Sequence, residues 1–298
     1  MRIRLANHSS YPGAASDDEL GRVLDEQAAV GLDLITDGQL GWEDPISPPL
    51  VALAGMRLGA MTNLPGLPLA FRQPIVEAKL RRYRPLCVAA YRRAAARSAR
   101  PLKVVLTGPH TLAHTATIAT TAYRGVDELA DDLSTIVAQE VAGLAAEGAA
   151  AIQIDEPLIL SRPRDIRRLR ELLEPIYDAA GGRMTVIAAT YGRDGAALYA
   201  QLNTLPADVI AVDCAGRAAI GDAIADTGSG KLLALGIVDG MSAALEDASE
   251  LARSVERLLR RYVHTDVWLQ PSCGLGRLSA EQARAKLALL AAVRTALA

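Results

Sequence analysis

Ala151-Ile152-Gln153-Ile154-Asp155-Glu156-Pro157 is the stretch on which the fold turns. Its apolar run is too short for a helix and ends in two carboxylates followed by a proline. That is the pattern of a buried parallel strand whose C-terminal end delivers acidic groups to a cleft. The proline then blocks extension of the sheet. By residue type alone, an acidic turn after a strand fits the same letters. The functional reading gains weight because other strands end in the same way.

Working outward, short β-like runs recur at residues 3–6, 32–36, 103–107, 151–154, 184–188, 209–212, 232–236 and 267–269. Eight strands alternating with helices in 298 residues predict an α/β fold: one (β/α)8 TIM barrel spanning 1–298 as a single domain, an architecture of about 250 residues. A doubly wound open sheet is the alternative. Ser16 with Glu19 reads as a capping box, followed by the stripe Leu20, Val23 and Leu24, with Gly31 as the stop. Leu129, Leu133, Ile136, Val137 and Leu144 mark a helix over 127–147 closed by Gly148, and a last helix begins near Ser279.

Residues 44–73 are the least barrel-like, with prolines 45, 48, 49, 65, 68 and 74 in or just beyond them. They predict an ordered insertion between strands 2 and 3, over the barrel mouth or beside it, where long insertions serve as substrate lids. The basic run Lys79-Leu80-Arg81-Arg82-Tyr83-Arg84, continued by Arg92, Arg93, Arg97 and Arg100, reads as a solvated helix face, or else as a clamp for phosphate or polycarboxylate.

Half of the chain is hydrophobic and 4% is aromatic, with a single Phe, so aliphatic side chains must build the core. Thirty-two basic against 34 acidic residues leave a charge of −2, which makes no electrostatic case for nucleic acid or an anionic membrane as partner. Met1-Arg2-Ile3-Arg4-Leu5 lacks an apolar signal core, and no run is long enough to span a bilayer. Cys87, Cys214 and Cys273 are odd in number and widely spaced, so free thiols and a cytoplasmic setting are expected.

Barrel enzymes carry their chemistry at the C-terminal ends of the strands. Here those ends hold residues 7–10, 37–39 and 107–110, then Asp155 and Glu156, Thr190 and Tyr191, Asp213 and Cys214, Asp239, and Ser272 and Cys273. A polar or acidic residue at nearly every strand end predicts a small polar substrate.

Over nearly its whole length the chain resembles the cobalamin-independent methionine synthases. The resemblance rests on Gly31-Leu-Asp-Leu-Ile-Thr-Asp-Gly38 with Trp42 and Asp44, Leu106-Thr-Gly-Pro109, Ile152-Gln-Ile-Asp-Glu-Pro157, Leu205-Pro-Ala-Asp-Val-Ile-Ala-Val-Asp213 and Trp268-Leu-Gln-Pro-Ser-Cys-Gly274. Family enzymes join two related barrels, and this chain looks like one of them. The resemblance implies a methyltransferase with a methyl-folate or methylcorrinoid donor and a Zn²⁺ ion that activates homocysteine as a thiolate. Of the family's zinc ligands, the distant Cys matches Cys273 and the Glu position holds Asp213, but the His and Cys positions fall at Ala189 and Tyr191. A rebuilt site of Cys273, Asp213 and His110 with water would have suitable donors. Against that, His110 and His114 read equally as loop caps, and Cys273 as a small buried residue.

The resemblance also implies an acceptor site at Ser10, Gln39 (where the family has Glu) and Asp155, with Asp44 and Tyr191 beside them. Asp155, Glu156 and Asp213 are the candidate catalytic carboxylates. Ala189-Thr190-Tyr191-Gly192, Gly236-Ile-Val-Asp-Gly240 and Trp42 lean toward the family's non-catalytic barrel, whereas Arg72-Gln73-Pro74-Ile75-Val76 leans toward the catalytic one. Two readings follow: a methyltransferase acting on a small thiol, amine or carboxylate acceptor, or a binding barrel that pairs with a separate catalytic barrel or with its own copy.

Overall fold

In a computed structural model, residues 1–67 and 69–298 are described; Pro68, one of the prolines of the 44–73 excursion, lies outside them. Seven strands form one parallel sheet in the order β1 (Arg2–Leu5), β10 (Asp266–Pro271), β9 (Leu232–Val238), β8 (Val209–Asp213), β7 (Thr185–Thr190), β6 (Ala151–Asp155) and β4 (Lys103–Thr107). Helices α1 (Asp17–Ala29), α2 (Val88–Ala95), α3 (Pro109–Thr115), α4 (Val126–Ala146), α5 (Ile166–Ala180), α6 (Tyr199–Leu202), α7 (Ala218–Thr227), α8 (Ala248–Leu258) and α9 (Ala280–Ala296) intervene. Seven of the expected strands therefore form, within a residue or two of their expected limits.

The expected strand at 32–36 forms only isolated parallel bridges, Ala6 to Leu34 on one side and Ile35 to Leu102 on the other. Side chains explain the lost ladder. The Asp33 carboxylate takes the Leu5 N–H at 2.8 Å. The buried Gln27 amide donates to the Thr36 carbonyl at 2.9 Å and accepts its N–H at 3.1 Å. Backbone groups that a neighbouring strand would use are thus satisfied locally.

Strand alternation divides the sheet's side chains between two environments. One face meets the helices in a large apolar core that includes Leu5, Leu106, Ile152, Ile154, Val186, Ile210, Leu233, Leu269, Leu287 and Leu290. The other face carries a smaller cluster of Ala6, Leu34, Ala151, Ile187, Ala189, Val209, Ala211 and Ala234. Gln153 and Asp155 share their face with Ala151 by the two-residue period.

Residues 44–73 do not wander. β2 (Leu53–Asn63) pairs antiparallel with β3 (Ala70–Arg82), and β3 pairs parallel with the short β5 (Thr117–Ile118). Phe71, Val76 and Leu80 of β3 pack with Leu129, Leu133 and Ile136 of α4 in a separate apolar cluster. Lys79, Arg81 and Arg82 accordingly lie on a strand and not on a helix face. Alternation buries Leu80 between them. Several charges of the basic run are met by the chain's own acids: Lys79 by Asp132 at 2.9 Å, Arg82 by the buried Glu140 at 2.6 Å and, beyond the strand, Arg92 by Glu147 and Arg97 by Asp17.

The helix ends match the sequence signals, except that only the Ser16 half of the first capping box forms because the Glu19 carboxylate pairs with Arg22. Ser16 accepts from the Glu19 N–H, Gly31 and Gly148 take positive φ, and Ser279 and Gln282 complete a reciprocal capping box. All three cysteines are free. Among the described residues no helix is long and apolar enough to cross a membrane.

Replacing Gln27 with Ala leaves the Thr36 N–H and C=O buried without partners. The expected cost is about 1–3 kcal/mol for each group, read as a lower urea midpoint. An unchanged midpoint would show that Gln27 does not organise this segment.

Candidate active site at the strand ends

The register of the sheet determines which residues meet. β4, β6 and β7 align Thr107 with Asp155 and Asp155 with Ala189; β7 and β8 align Ala189 with Ala211; β8 and β9 align Asp213 with Gly236. Asp155 therefore ends its strand beside the methyl group of Ala189. Near it opens a cavity of about 160 Å³ whose lining includes Ser10, Gln39, Asp44, Tyr191, Cys273 and Arg277; Asp155 does not itself line the cavity, but its charge reaches Tyr191 and Cys273, which do. Five of the sequence-derived site residues are thus brought together. Trp42, Pro45, Leu69 and Ala70 complete one wall, so the excursion contributes to the mouth.

Asp155 is buried, and its carboxylate accepts the Gln153 amide at 2.7 Å. Burial raises its pKa to about 7, against the opposing pull of the Gln153 hydrogen bond and the Lys103 charge. Lys103, equally buried on β4, donates to Gln153 at 2.5 Å and lies 3.5 Å from Gln270. Burial lowers its pKa to about 7, opposed by the charge of Asp155. Gln153 also approaches the His8 ring at 3.4 Å. That ring packs edge-on against Tyr191, with centroids 5.2 Å apart. Around Asp155, then, lies a buried polar layer of His8, Lys103, Gln153 and Gln270. From sequence, His8 counts only within the strand-end set 7–10, and Lys103, Gln153 and Gln270 receive no role. A polar residue in the middle of an apolar strand, as Gln153 is, was the available signal.

The remaining candidates divide by what their polar atoms already hold. Both oxygens of Glu156 accept backbone N–H groups at the start of α3, from His110 at 2.9 Å and Thr111 at 2.7 Å. A Cβ on Gly108 would fall on that carboxylate, which is why glycine precedes Pro109. Asp44 takes the N–H groups of Ile46, Ser47 and Arg72, so it ties the start of β3 to the mouth. Asp213 accepts from Gly192 and Ala215 and pairs with Arg217 at 2.9 Å; burial still raises its pKa. Gln39 lines the cavity at φ 50°, the one non-glycine residue with positive φ among those described, and donates to the Val105 carbonyl at 3.3 Å. Ser10 accepts the Gly276 N–H at 3.2 Å and so clasps the loop that carries Cys273.

Zinc does not fit this donor set. Ala189 offers no ligand atom, and burial holds the Tyr191 phenol strongly in its neutral form. The Cys273 thiol is buried and pushed up to about 12. The rebuilt trio of Cys273, Asp213 and His110 does not assemble. Among the described residues, His110 instead converges with His114 and Asp165, and Cys273 and Asp213 are outside that group. Cys214 follows Asp213 onto the opposite side, where it lines a groove with residues of α7 and α8.

A parallel sheet clad in helices, with a polar cavity at the strand ends, defines an enzyme-type α/β architecture. Residues 5–296 match the family model described as Cobalamin-independent synthase, Catalytic domain. The chain belongs to that family, whose enzymes are methyltransferases. It is 26% identical over 276 residues to a methionine synthase of Saccharolobus solfataricus, covering 92% of this chain and 81% of that protein. A methionine synthase of Sulfurisphaera tokodaii is 25% identical, covering 92% and 79%. The B12-independent methionine synthase of Shewanella sp. W3-18-1, solved with selenomethionine, superposes with a TM-score of 0.85 at 19% identity, over 98% of this chain and 96% of that one. A methyltransferase from Methanosarcina mazei gives 0.70 at 12% identity, over 99% and 93%.

Lys103→Met removes the cation that holds the Asp155 pKa down. The pH midpoint of any function that needs the Asp155 carboxylate should move upward. A profile identical to that of the unaltered protein would disconnect the two residues.

Proposed function

We propose that this chain is a single-domain methyltransferase that passes a methyl group to a small acceptor bearing an ammonium group, homocysteine or a related thiol or amine. The observation that carries the reading is Asp155, a buried carboxylate with one side-chain hydrogen-bond donor, whose charge reaches Tyr191 and Cys273 in the lining of a cavity that also holds Ser10 and Arg277. In this reading Asp155 receives the acceptor's ammonium and Arg277 its carboxylate. The donor, a methyl-folate or a methylcorrinoid, lies against Trp42 and the Leu69–Ala70 wall. Binding a cation restores charge balance to Asp155 and so favours its ionised form. Excluding water from the cavity strengthens that pairing.

The fold reading goes with it. The bridged segment 32–36 is proposed as the eighth stave that closes the sheet into a (β/α)8 barrel, and the β2–β3 hairpin as an insertion between strands 2 and 3. Asp213 and Glu156 position loops here and do not handle protons. Because Ala189 and Tyr191 replace two of the family's metal donors, no step is assigned to zinc at the mouth, and the acceptor must be reactive without a zinc-bound thiolate.

The same two residues favour a second reading, a binding barrel paired with a separate catalytic barrel or with a second copy. Incubation with isotopically labelled methyltetrahydrofolate or methylcobalamin and a panel of small thiols and amines separates the two. Labelled methyl should appear in one acceptor. Asp155→Asn should lower kcat/KM by about 10–100-fold, the worth of a hydrogen bond to a charged group. Below pH 7 Asp155 takes up a proton and loses its hold on an ammonium, so KM should rise as pH falls. Cys273→Ser should change kcat only a few-fold. Absence of product with every pair, together with saturable folate binding, would replace the enzyme by the binding barrel.

A further inference from the structure

We propose that His110, His114 and Asp165 form a site for one divalent transition ion of the zinc class, separate from the strand-end cavity. His110 and His114 lie one turn apart on α3, and their rings stack with centroids 4.4 Å apart. Asp165 follows β6 in sequence and directs its carboxylate at both. Its Oδ2 stands 3.1 Å from His110 Nε2 and 3.7 Å from His114 Nε2, and the three ligand atoms lie within 4.8 Å of one another. Two imidazoles at i and i+4 with one carboxylate are a donor set for zinc-like ions. Two nitrogen donors among three disfavour calcium and magnesium, which take oxygen.

The proton positions agree. His114 Nδ1 faces the His110 carbonyl at 3.0 Å. A carbonyl can only accept, so that nitrogen carries the proton and the Nε2 lone pair is left toward Asp165. His110 Nδ1 is buried without any partner, 3.8 Å from a Glu156 oxygen. Without an ion, His110 places its proton on Nε2 for Asp165, and Nδ1 stays orphaned. An ion at Nε2 moves that proton to Nδ1, on the side of Glu156, the orientation that the carboxylate–histidine–metal arrangement uses. That tautomer change frees a ligand and turns the orphaned atom's proton toward a carboxylate 3.8 Å away, so a shift of less than about 1 Å would complete a hydrogen bond. Asp165 begins α5 without capping it, so its carboxylate has no helix to serve. Arg162, half exposed at 3.7 Å, shares that oxygen and is the cation that the ion must displace.

The site is not the family position at the strand ends, because none of its residues lines that cavity. Thr111 follows His110 where the H-E-x-x-H zinc motif has its general base, so the ion holds α3 against the β6–α5 connection and does not hydrolyse. Through Glu156 this connection also neighbours Asp155.

The test uses chelator-stripped, full-length protein with Zn²⁺ in a calorimeter and Co²⁺ as a visible-absorption probe. One equivalent should bind, with a tetrahedral Co²⁺ spectrum and a higher Tm on adding Zn²⁺. His114→Gln and Asp165→Asn should each weaken binding by at least about tenfold, the loss that removal of an outer partner alone can cause. Both positions are partly exposed, so circular dichroism should find these variants folded. Cys273→Ser and Asp213→Asn should bind as the unaltered protein does. No bound ion, or binding that survives both site variants and is lost in Cys273→Ser, would overturn the site. The readout is binding, so it stands apart from whether methyl transfer is found.

Discussion

Every strand of the main sheet runs in one direction, and the remaining features depend on that. Parallel strands must be connected by crossovers, so helices cover one face and all the C-terminal ends open at the same end. Residues from both ends and the middle of the sequence are thereby forced together: Ser10, Gln39, Tyr191 and Cys273 share one cavity. The pleat determines the rest. Within β6, Ile152 and Ile154 go to the helix-facing core, while Gln153 and Asp155 go to the opposite face. A shift of one residue would exchange these sets and bury a carboxylate among leucines.

On that inner face the chain keeps two opposite charges, Lys103 and Asp155, out of water and links both through Gln153. Burial disfavours each charge, while their mutual attraction opposes the loss. Such a pair gives little net stability, but it holds a carboxylate near its switching point and ready to gain from a cationic ligand. Around it the acids with fixed structural duties, Glu156, Asp44 and Asp213, have their oxygens engaged by backbone N–H groups or by Arg217. Engagement of oxygens, more than position at a strand end, separates the scaffold from the binding site.

The β2–β3 hairpin shows how charge patterns mislead when read alone. The basic run Lys79–Arg82 suits an exposed helix by composition, yet alternation around Leu80 makes it a strand, and two of its cations, Lys79 and Arg82, find acids on α4. The acids are up to 58 residues away in sequence, so no local window contains them. The strand expected at 32–36 fails for a related reason. The Asp33 carboxylate takes the N–H of Leu5 on the neighbouring strand, and Gln27 takes both backbone groups of Thr36, a competition invisible to hydrophobic pattern.

The sequence by itself determined the alternation of strands and helices, the helix caps, the acidic strand end at Asp155 and the absence of metal donors at Ala189 and Tyr191. Each of these is local: a period, a turn residue or the identity of one side chain. Only the tertiary structure decided which polar atoms remain available. It assigned Glu156 to α3, drew His110 away from Cys273 toward His114 and Asp165, and placed Lys103 beneath Asp155. Those outcomes depend on distances between segments that approach one another only when the sheet curls, and hydrogen bonds and pKa values depend on distance and burial.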